Sequence, residues 1–196
     1  MIYTHIGYRP DANLGRAWND FMALIPDDAW AVLQDHDCVA TTGRWYHQFT
    51  EAIAFRPEAG AFIVTTNRIA APWQRAAEAD PDNNDMAYHR AIGKARLARR
   101  TLLDVSRTKG WGAVAFAVSK LAWREVGGFA DGLGCVDHSL HFGLQRVGRP
   151  VYLIEGCYFY HWRHWREQDP TSVHPKAANC PCRGPETPPT ERIALP

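Results

Sequence analysis

The sequence lacks the features that would place it at once among membrane, secreted or nucleic-acid-binding proteins. Its formal charge is only +1 at pH 7, so the chain as a whole has no general attraction to nucleic acid or to a membrane surface. No apolar run approaches the ~20 residues that a membrane span needs, and no charged and apolar leader opens the chain. The five cysteines are odd in number and do not have the spacing of a disulfide framework. We therefore expect a reduced, cytoplasmic protein.

The length and composition are those of one globular domain. The chain has 196 residues, of which 46% are hydrophobic, and eight of these are tryptophans, which is enough to bury a real core. From about Glu167 onward the sequence is proline-rich and has no apolar periodicity. We expect a domain over residues 1–165 and a tail over residues 166–196 that wraps the surface or stays mobile.

Apolar periodicity predicts alternating strands and helices. A strand over residues 1–8 precedes a helix over 14–25, which Asp11 or Asn13 can cap, and a buried strand follows over 29–34. The later predicted elements are a helix over 41–55, a strand over 60–66, a long loop over 68–86, a basic helix over 85–103, a strand over 112–119, helices over 120–129 and 137–148, and one or two strands over 150–162. The β-α-β-α-β order at the start favours an α/β fold with a mostly parallel sheet flanked by helices. The loop is long enough to be a lid or a binding loop.

Two carboxylates end the predicted strand over residues 29–34. Asp35 and Asp37 flank His36, and side chains two residues apart at a strand end point the same way. Buried carboxylates are costly unless a cation or hydrogen-bond donors compensate their charge. The pair therefore predicts an oxygen-rich site for a divalent cation, and the alternative is a solvated junction between a strand and a turn.

Three quoted segments occur in an order that is typical of one enzyme family. They are NLGRAWNDFMALIPDDAWAVLQDHD, GWGAVAFAVSKLAWREVGGFADGLGCVDHSLHFGLQRVGRPVYLI and YFYHW. In this order the chain resembles a compact glycosyltransferase of the GT-A fold, closest to the family-2 type, over roughly residues 1–165. The resemblance implies a Rossmann-like mixed, mostly parallel sheet. The aspartates arrive by residue 35, which leaves room for about one β-α unit before them.

The resemblance implies a metal site for a nucleotide-sugar donor. Asp37 would bind the metal directly, Asp35 would serve the metal or the donor ribose and sugar, and His161 would complete the metal shell, while His36 belongs to the donor-binding set. The metal would be Mn²⁺ or Mg²⁺, and an imidazole ligand favours Mn²⁺. Such a cation stabilises the charge of the leaving diphosphate as a Lewis acid.

The part of the donor site that recognises the nucleotide has no clear match. The family normally supplies an acidic residue for uracil from the stretch that is missing here. Tyr8, Arg9 and Asp11, which follow the first strand, are the available substitutes. A UDP-sugar is the expected donor.

Asp137 occupies the position of the family's catalytic base. An inverting transfer needs one carboxylate that takes the proton of the attacking acceptor hydroxyl. The family usually has Glu-Asp here, whereas this chain has Val136-Asp137. The alternative is a plain helix N-cap, and the two roles can coexist.

The acceptor side is expected around Trp111, Gly112 and His138. Trp111 lies between two glycines where the family opens its acceptor-side loop, and an aromatic face binds sugar C–H groups well. A tryptophan in the core is the equally weighted alternative.

Two other groups of residues have functional and structural interpretations. The basic helix over 85–103 is either a solvated face or a source of phosphate contacts to the donor or to a nucleic-acid acceptor. His164, His174, Cys180 and Cys182 fit no standard zinc spacing, and Cys38, Cys135 and Cys157 are expected to be core or near-core thiols.

The expected function is a metal-dependent glycosyltransferase, inverting and non-processive, that acts on a glycan, another hydroxyl compound or a modified nucleic acid. Two alternatives stay open. One is a nucleotidyl- or phosphoryl-transfer enzyme that uses the same carboxylates, and the other is a non-catalytic module that binds a nucleotide-sugar.

Overall fold

An eight-stranded sheet forms the centre of the molecule. The computed structural model describes residues 1–162 and 187–196. In chain order the elements are β1 (Ile2–Ile6), α1 (Leu14–Leu24), β2 (Trp30–Gln34), β3 (Cys38–Ala40), α2 (Trp45–Phe55), β4 (Ala61–Thr66), α3 (Met86–Arg96), β5 (Thr101–Asp104), β6 (Ala115–Ser119), α4 (Lys120–Val126), α5 (Val136–Arg146), β7 (Val151–His161) and β8 (Glu191–Ala194), with a 3₁₀ turn over Pro72–Gln74. The fold is a single α/β domain with a mixed sheet, as the sequence predicts.

The prediction of a mostly parallel sheet is wrong. The strand order is β1-β2-β6-β4-β7-β5-β8, and β3 pairs with the far end of β7. β1 is parallel to β2 and β4 is parallel to β7, whereas the remaining pairings of the described strands are antiparallel. A parallel neighbour needs a crossover that returns the chain to the starting end of the sheet. The loop and helix between β4 and β5 do not return it, so β5 runs back in the opposite direction.

Both faces of the sheet are buried, which explains the continuous apolar run of β4. Ala61 and Ile63 point into one core with α1, α4 and α5, and Phe62 and Val64 point into the other core with α2. This alternation follows from the two-residue period of a strand. Over the described parts of the chain, no helix is long and apolar enough to cross a membrane.

Helix α1 is capped and docked by the asparagine-glycine segment at its start. The Asn13 side chain accepts a hydrogen bond from the backbone N–H of Arg16 (2.9 Å), as the cap prediction requires, and another from Gly132 (2.7 Å). A Cβ at Gly15 would lie 1.8 Å from the carbonyl oxygen of Ala130. The segment therefore holds α1 directly against the loop that leads into α5.

The basic helix is shorter than the sequence predicts, and one of its arginines is structural. α3 ends at Arg96, and β5 begins at Thr101. Arg96 is only 3% exposed, and its Nε and Nη2 donate to the carbonyl oxygen of Glu155 (3.0 and 2.6 Å). It fills the place where the β4–β7 register shifts after Val64, so Arg96 does not belong to a solvated or phosphate-binding face.

The end of the predicted tail, residues 187–196, contains a strand that forms part of the sheet. β8 pairs antiparallel with β5, and Ile193 and Leu195 pack against the core on the α2 side. The Arg192 guanidinium pairs with both oxygens of the Glu155 carboxylate (2.7 and 3.0 Å). The candidate zinc residues His164, His174, Cys180 and Cys182 lie outside the described residues.

We expect Ile193→Asp to destabilise the protein by about 2 kcal/mol, because a charge replaces a side chain that packs on the core. Thermal unfolding should show a Tm lower by roughly 4–8 °C. Ala194→Asp is the matched control, since Ala194 is exposed on the other face of β8. Equal stability of the two variants would contradict a structural role for β8.

Candidate functional site

The candidate site lies where β1, β2 and β7 end. β1 and β2 are parallel, with Ile6 opposite Gln34, so the residues after both strands leave the same edge of the sheet. The three-residue strand β3 then turns back and pairs with the end of β7, which places Cys38 opposite His161. One local pairing therefore brings His161 to the aspartates, which are far from it in sequence.

Four side chains converge at this edge with metal-binding atoms. Asp35, Asp37, Cys38 and His161 each offer one ligand atom, and these atoms all lie within 4.8 Å of one another. The Nε2 atom of His161 is 3.4 Å from Oδ2 of Asp37, and Sγ of Cys38 is 3.6 Å from Oδ1 of Asp37. The structure thus brings together the three residues of the predicted metal site. It adds Cys38, which the sequence predicts only as a core or near-core thiol.

Residues at the start of the long loop fix the orientation of the His161 ring. Nδ1 of His161 lies 2.7 Å from the carbonyl oxygen of Arg68, and a carbonyl only accepts, so Nδ1 is protonated. The Asn67 amide bonds both the N–H (2.8 Å) and the carbonyl (3.3 Å) of His161. Nε2 is therefore the ring atom that faces the cluster, as in metal sites whose histidine is held by a backbone carbonyl.

The two aspartates of the cluster have opposite pKa shifts. Burial raises the pKa of Asp37, but the hydrogen bond and charge of His161, with a contribution from His36, outweigh it and lower the pKa to about 2. Burial raises the pKa of Asp35 well above its usual value, and the negative charges of Asp37 and Asp137 raise it further. A nearby cation would compensate the ionised form of Asp35.

Asp137 joins the site from the first turn of α5. Its Oδ2 accepts from the backbone N–H of Ala113 (3.2 Å), and its Oδ1 accepts from that of His138 (2.8 Å). The next residue after Ala113, Val114, accepts from the N–H of Asp35 (3.0 Å). One short backbone segment therefore connects the two carboxylates.

The N-cap alternative for Asp137 is not met in its simple form. The cap position of α5 is Cys135, with φ 60° and no side-chain cap hydrogen bond, and Asp137 is the second residue of the helix. Its Oδ1 still satisfies one of the N–H groups in the first turn, that of His138. One carboxylate oxygen thus supports the helix while the other faces the Ala113 backbone.

Trp111 is a core residue, so its ring cannot serve as an open acceptor platform. The side chain is 1% exposed, and its Nε1 donates to Nδ1 of the buried His141 (3.1 Å). A core position was the equally weighted alternative, because a tryptophan between two glycines can pack into a core or face solvent. His138 keeps a quarter of its side chain exposed and lies beside Asp137, with 3.7 Å between Nδ1 and Oδ1.

The first part of the predicted lid is held in place beside the site by hydrogen bonds. Gln74 is buried, and its side chain bonds both the N–H and the carbonyl of Gly112 (2.9 Å each) and the carbonyl of Val64 (3.1 Å). Asn67 and Arg68 bond His161 at the end of β7, and Gln74 bonds Val64 in β4. The same loop therefore connects both strands to Gly112, which is next to the residue that bonds Asp137. The Gly112 backbone is consequently engaged by Gln74 rather than open to an acceptor.

The predicted nucleotide-binding residues follow β1 at the same edge. Tyr8 is 81% exposed, and His36 is exposed between the two aspartates. Arg9 forms ion pairs with Asp11 (3.1 Å) and Asp20 (2.9 Å). A diphosphate that used Arg9 would have to compete with these two carboxylates.

Comparison with protein-family models and with curated protein sequences finds no match to this chain. The side-chain arrangement at the sheet edge is therefore the feature of the molecule that bears on its function. That arrangement combines a compact set of oxygen, nitrogen and sulfur donors with a neighbouring, separately oriented carboxylate.

We expect Asp35→Asn to stabilise the metal-free protein at neutral pH. The folded-state pKa of Asp35 is raised, so its stabilising contribution is complete below the unfolded pKa of about 4 and is lost as pH rises through the folded pKa. Asparagine does not ionise, so the variant's advantage should grow from pH 4 to pH 8. Urea unfolding with chelator present measures this difference. Asp28→Asn, at an exposed aspartate, is the control, and a pH-independent difference for Asp35→Asn would contradict the raised pKa.

Proposed function

We propose that the protein is a metal-dependent glycosyltransferase, which moves a sugar from a nucleotide-diphosphate-sugar donor to an acceptor hydroxyl. The observation that carries the proposal is the convergence of Asp35, Asp37 and His161 at the end of β2, with Asp137 beside them. The motif order of the sequence supports the same function. We also propose that the mixed sheet is a shortened GT-A-like fold.

The donor atoms fit a divalent cation. Asp35 and Asp37 offer carboxylate oxygens, and His161 offers Nε2. Carboxylate oxygens suit both Mn²⁺ and Mg²⁺, and the imidazole favours Mn²⁺. When bound, the cation supplies Lewis-acid stabilisation of the leaving nucleotide diphosphate. The cluster lies at the strand edge from which Tyr8 and Arg9 also extend, and a UDP-sugar is the proposed donor.

Asp137 is the proposed general base of an inverting, non-processive transfer. Two backbone N–H groups, those of Ala113 and His138, orient its carboxylate. In this position it would take the proton of the acceptor hydroxyl as that oxygen attacks the anomeric carbon. The His138 ring is the part of the predicted acceptor side that stays accessible beside it.

The acceptor is proposed at the level of chemical class. To accept a sugar, a glycan or another hydroxyl compound needs only the Asp137 carboxylate and polar side chains beside it. A modified nucleic acid would also need a basic surface, and Arg90 and Lys94 remain exposed on α3 after Arg96 is assigned to the core.

We expect Asp137→Asn to reduce sugar transfer by roughly a hundredfold or more while donor affinity is unchanged, because general-base catalysis is worth ~10²–10⁴-fold in rate. Asparagine keeps the size of the side chain and one of its two acceptor oxygens. Donor affinity is measured by calorimetry with UDP-sugars and Mn²⁺, and transfer by product formation over a panel of hydroxyl acceptors.

Asp131→Asn is the control, since it removes an exposed carboxylate from the loop before α5. Wild-type transfer by Asp137→Asn would contradict the assignment, and loss of transfer in Asp131→Asn instead would move the base to that loop. Binding of nucleotide-sugar without turnover by the wild type would favour the binding module. Turnover of a nucleoside triphosphate instead would favour nucleotidyl or phosphoryl transfer.

A further inference from the structure

Cys38 differs from a usual core cysteine in its surroundings. Its side chain is 3% exposed and belongs to the core on the α2 side, but its Sγ faces the cluster and lies 3.6 Å from Oδ1 of Asp37. The sulfur is also within 4.8 Å of the ligand atoms of Asp35 and His161. A buried thiol among two carboxylates and an imidazole is poorly explained by packing alone, because apolar side chains would fill a core at lower cost.

The backbone holds the Cys38 sulfur in this position. The N–H of Cys38 donates to the carbonyl of Asp35 (3.3 Å), and its carbonyl accepts from Nε2 of Gln34 (2.6 Å). The β3–β7 pairing sets Cys38 opposite His161, and the backbone N–H of Trp162 donates to the carbonyl of Asp37 (3.0 Å). The thiol and the imidazole are therefore fixed relative to each other by main-chain hydrogen bonds.

The donor set has a different metal preference with sulfur than without it. Carboxylates alone suit Mg²⁺ and Mn²⁺, whereas a set of carboxylate, imidazole and thiolate suits Zn²⁺ and its spectroscopic substitute Co²⁺. Burial raises the pKa of the Cys38 thiol well above its usual value, and the charges of Asp35 and Asp37 raise it further. A bound cation would lower the pKa of the thiol again, because it stabilises the thiolate directly.

We propose that Cys38 is the fourth protein donor of this metal centre, and that the centre binds Zn²⁺ and Co²⁺ through its sulfur. On binding, the S–H bond breaks, the proton passes to the buffer and the sulfur lone pair forms the bond to the cation. The inference rests on the metal centre of the proposed function, but it does not require that sugar transfer occurs.

Cobalt absorption tests the sulfur bond directly. The starting protein is the full chain with Cys180→Ser and Cys182→Ser, which removes the two other thiols that lie close together in sequence. Titration with Co²⁺ should produce a near-ultraviolet sulfur-to-cobalt charge-transfer band and release a proton. Cys38→Ser should abolish the band. Cys157→Ser, which alters an equally buried thiol on β7, is the matched control and should retain it.

A band that persists in Cys38→Ser would overturn the proposal. Cobalt binding by calorimetry without a charge-transfer band in the starting protein would also overturn it, while leaving the metal centre of the proposed function in place. Failure to bind any divalent cation would overturn both. If Cys38→Ser does not fold, retention of the band in both Cys135→Ser and Cys157→Ser assigns the bond to Cys38, and its loss in either assigns it elsewhere.

Discussion

Repulsion among carboxylates is the constraint around which the edge of the sheet is organised. Asp35 and Asp37 follow the end of β2, and Asp137 lies at the start of α5. The charges of Asp37 and Asp137 both raise the pKa of Asp35. His161 offsets the charge of Asp37, whose pKa falls to about 2. Asp35 resists ionisation in the metal-free protein. A bound cation would stabilise the state in which all three carboxylates are ionised. A fold gains nothing in stability from such crowding, which is why we regard it as functional.

The surrounding elements restrain the groups that carry these charges. The β3–β7 pairing and the Asn67 amide hold His161, while Gln74 holds Gly112 next to the segment that bonds Asp137. In the middle of β7, Arg96 bonds the Glu155 carbonyl where the register with β4 shifts. The loop after β4 is thus a framework that links the candidate metal ligands to the proposed base, and its polar composition reflects these internal hydrogen bonds.

Features that depend on local pattern were predictable, and those that depend on distant pairing were not. Neighbouring residues in the sequence were enough to predict the Asn13 cap, the apolar run of β4 and the carboxylates after β2. β3 has only three residues, too few for a periodic signal, yet its pairing delivers His161 and Cys38 to the site. Arg96 and Trp111 could be assigned only when their surroundings were known, because a charged helix face or a glycine-flanked aromatic fits either a surface or a core. β8 was missed for the same reason, since its few residues form a strand only by pairing with the distant β5.

The central claim is that the Asp35–Asp37–His161 cluster binds a divalent cation that in turn holds a nucleotide diphosphate. Thermal unfolding with Mn²⁺, with UDP and with both tests it most directly. The two ligands together should stabilise the wild type more than the sum of their separate effects. A single bound ligand contributes about 2.7 kcal/mol when its free concentration is a hundred times its Kd. Asp37→Asn should remove the Mn²⁺-dependent part and remain folded, whereas wild-type Mn²⁺ dependence in that variant would contradict the account.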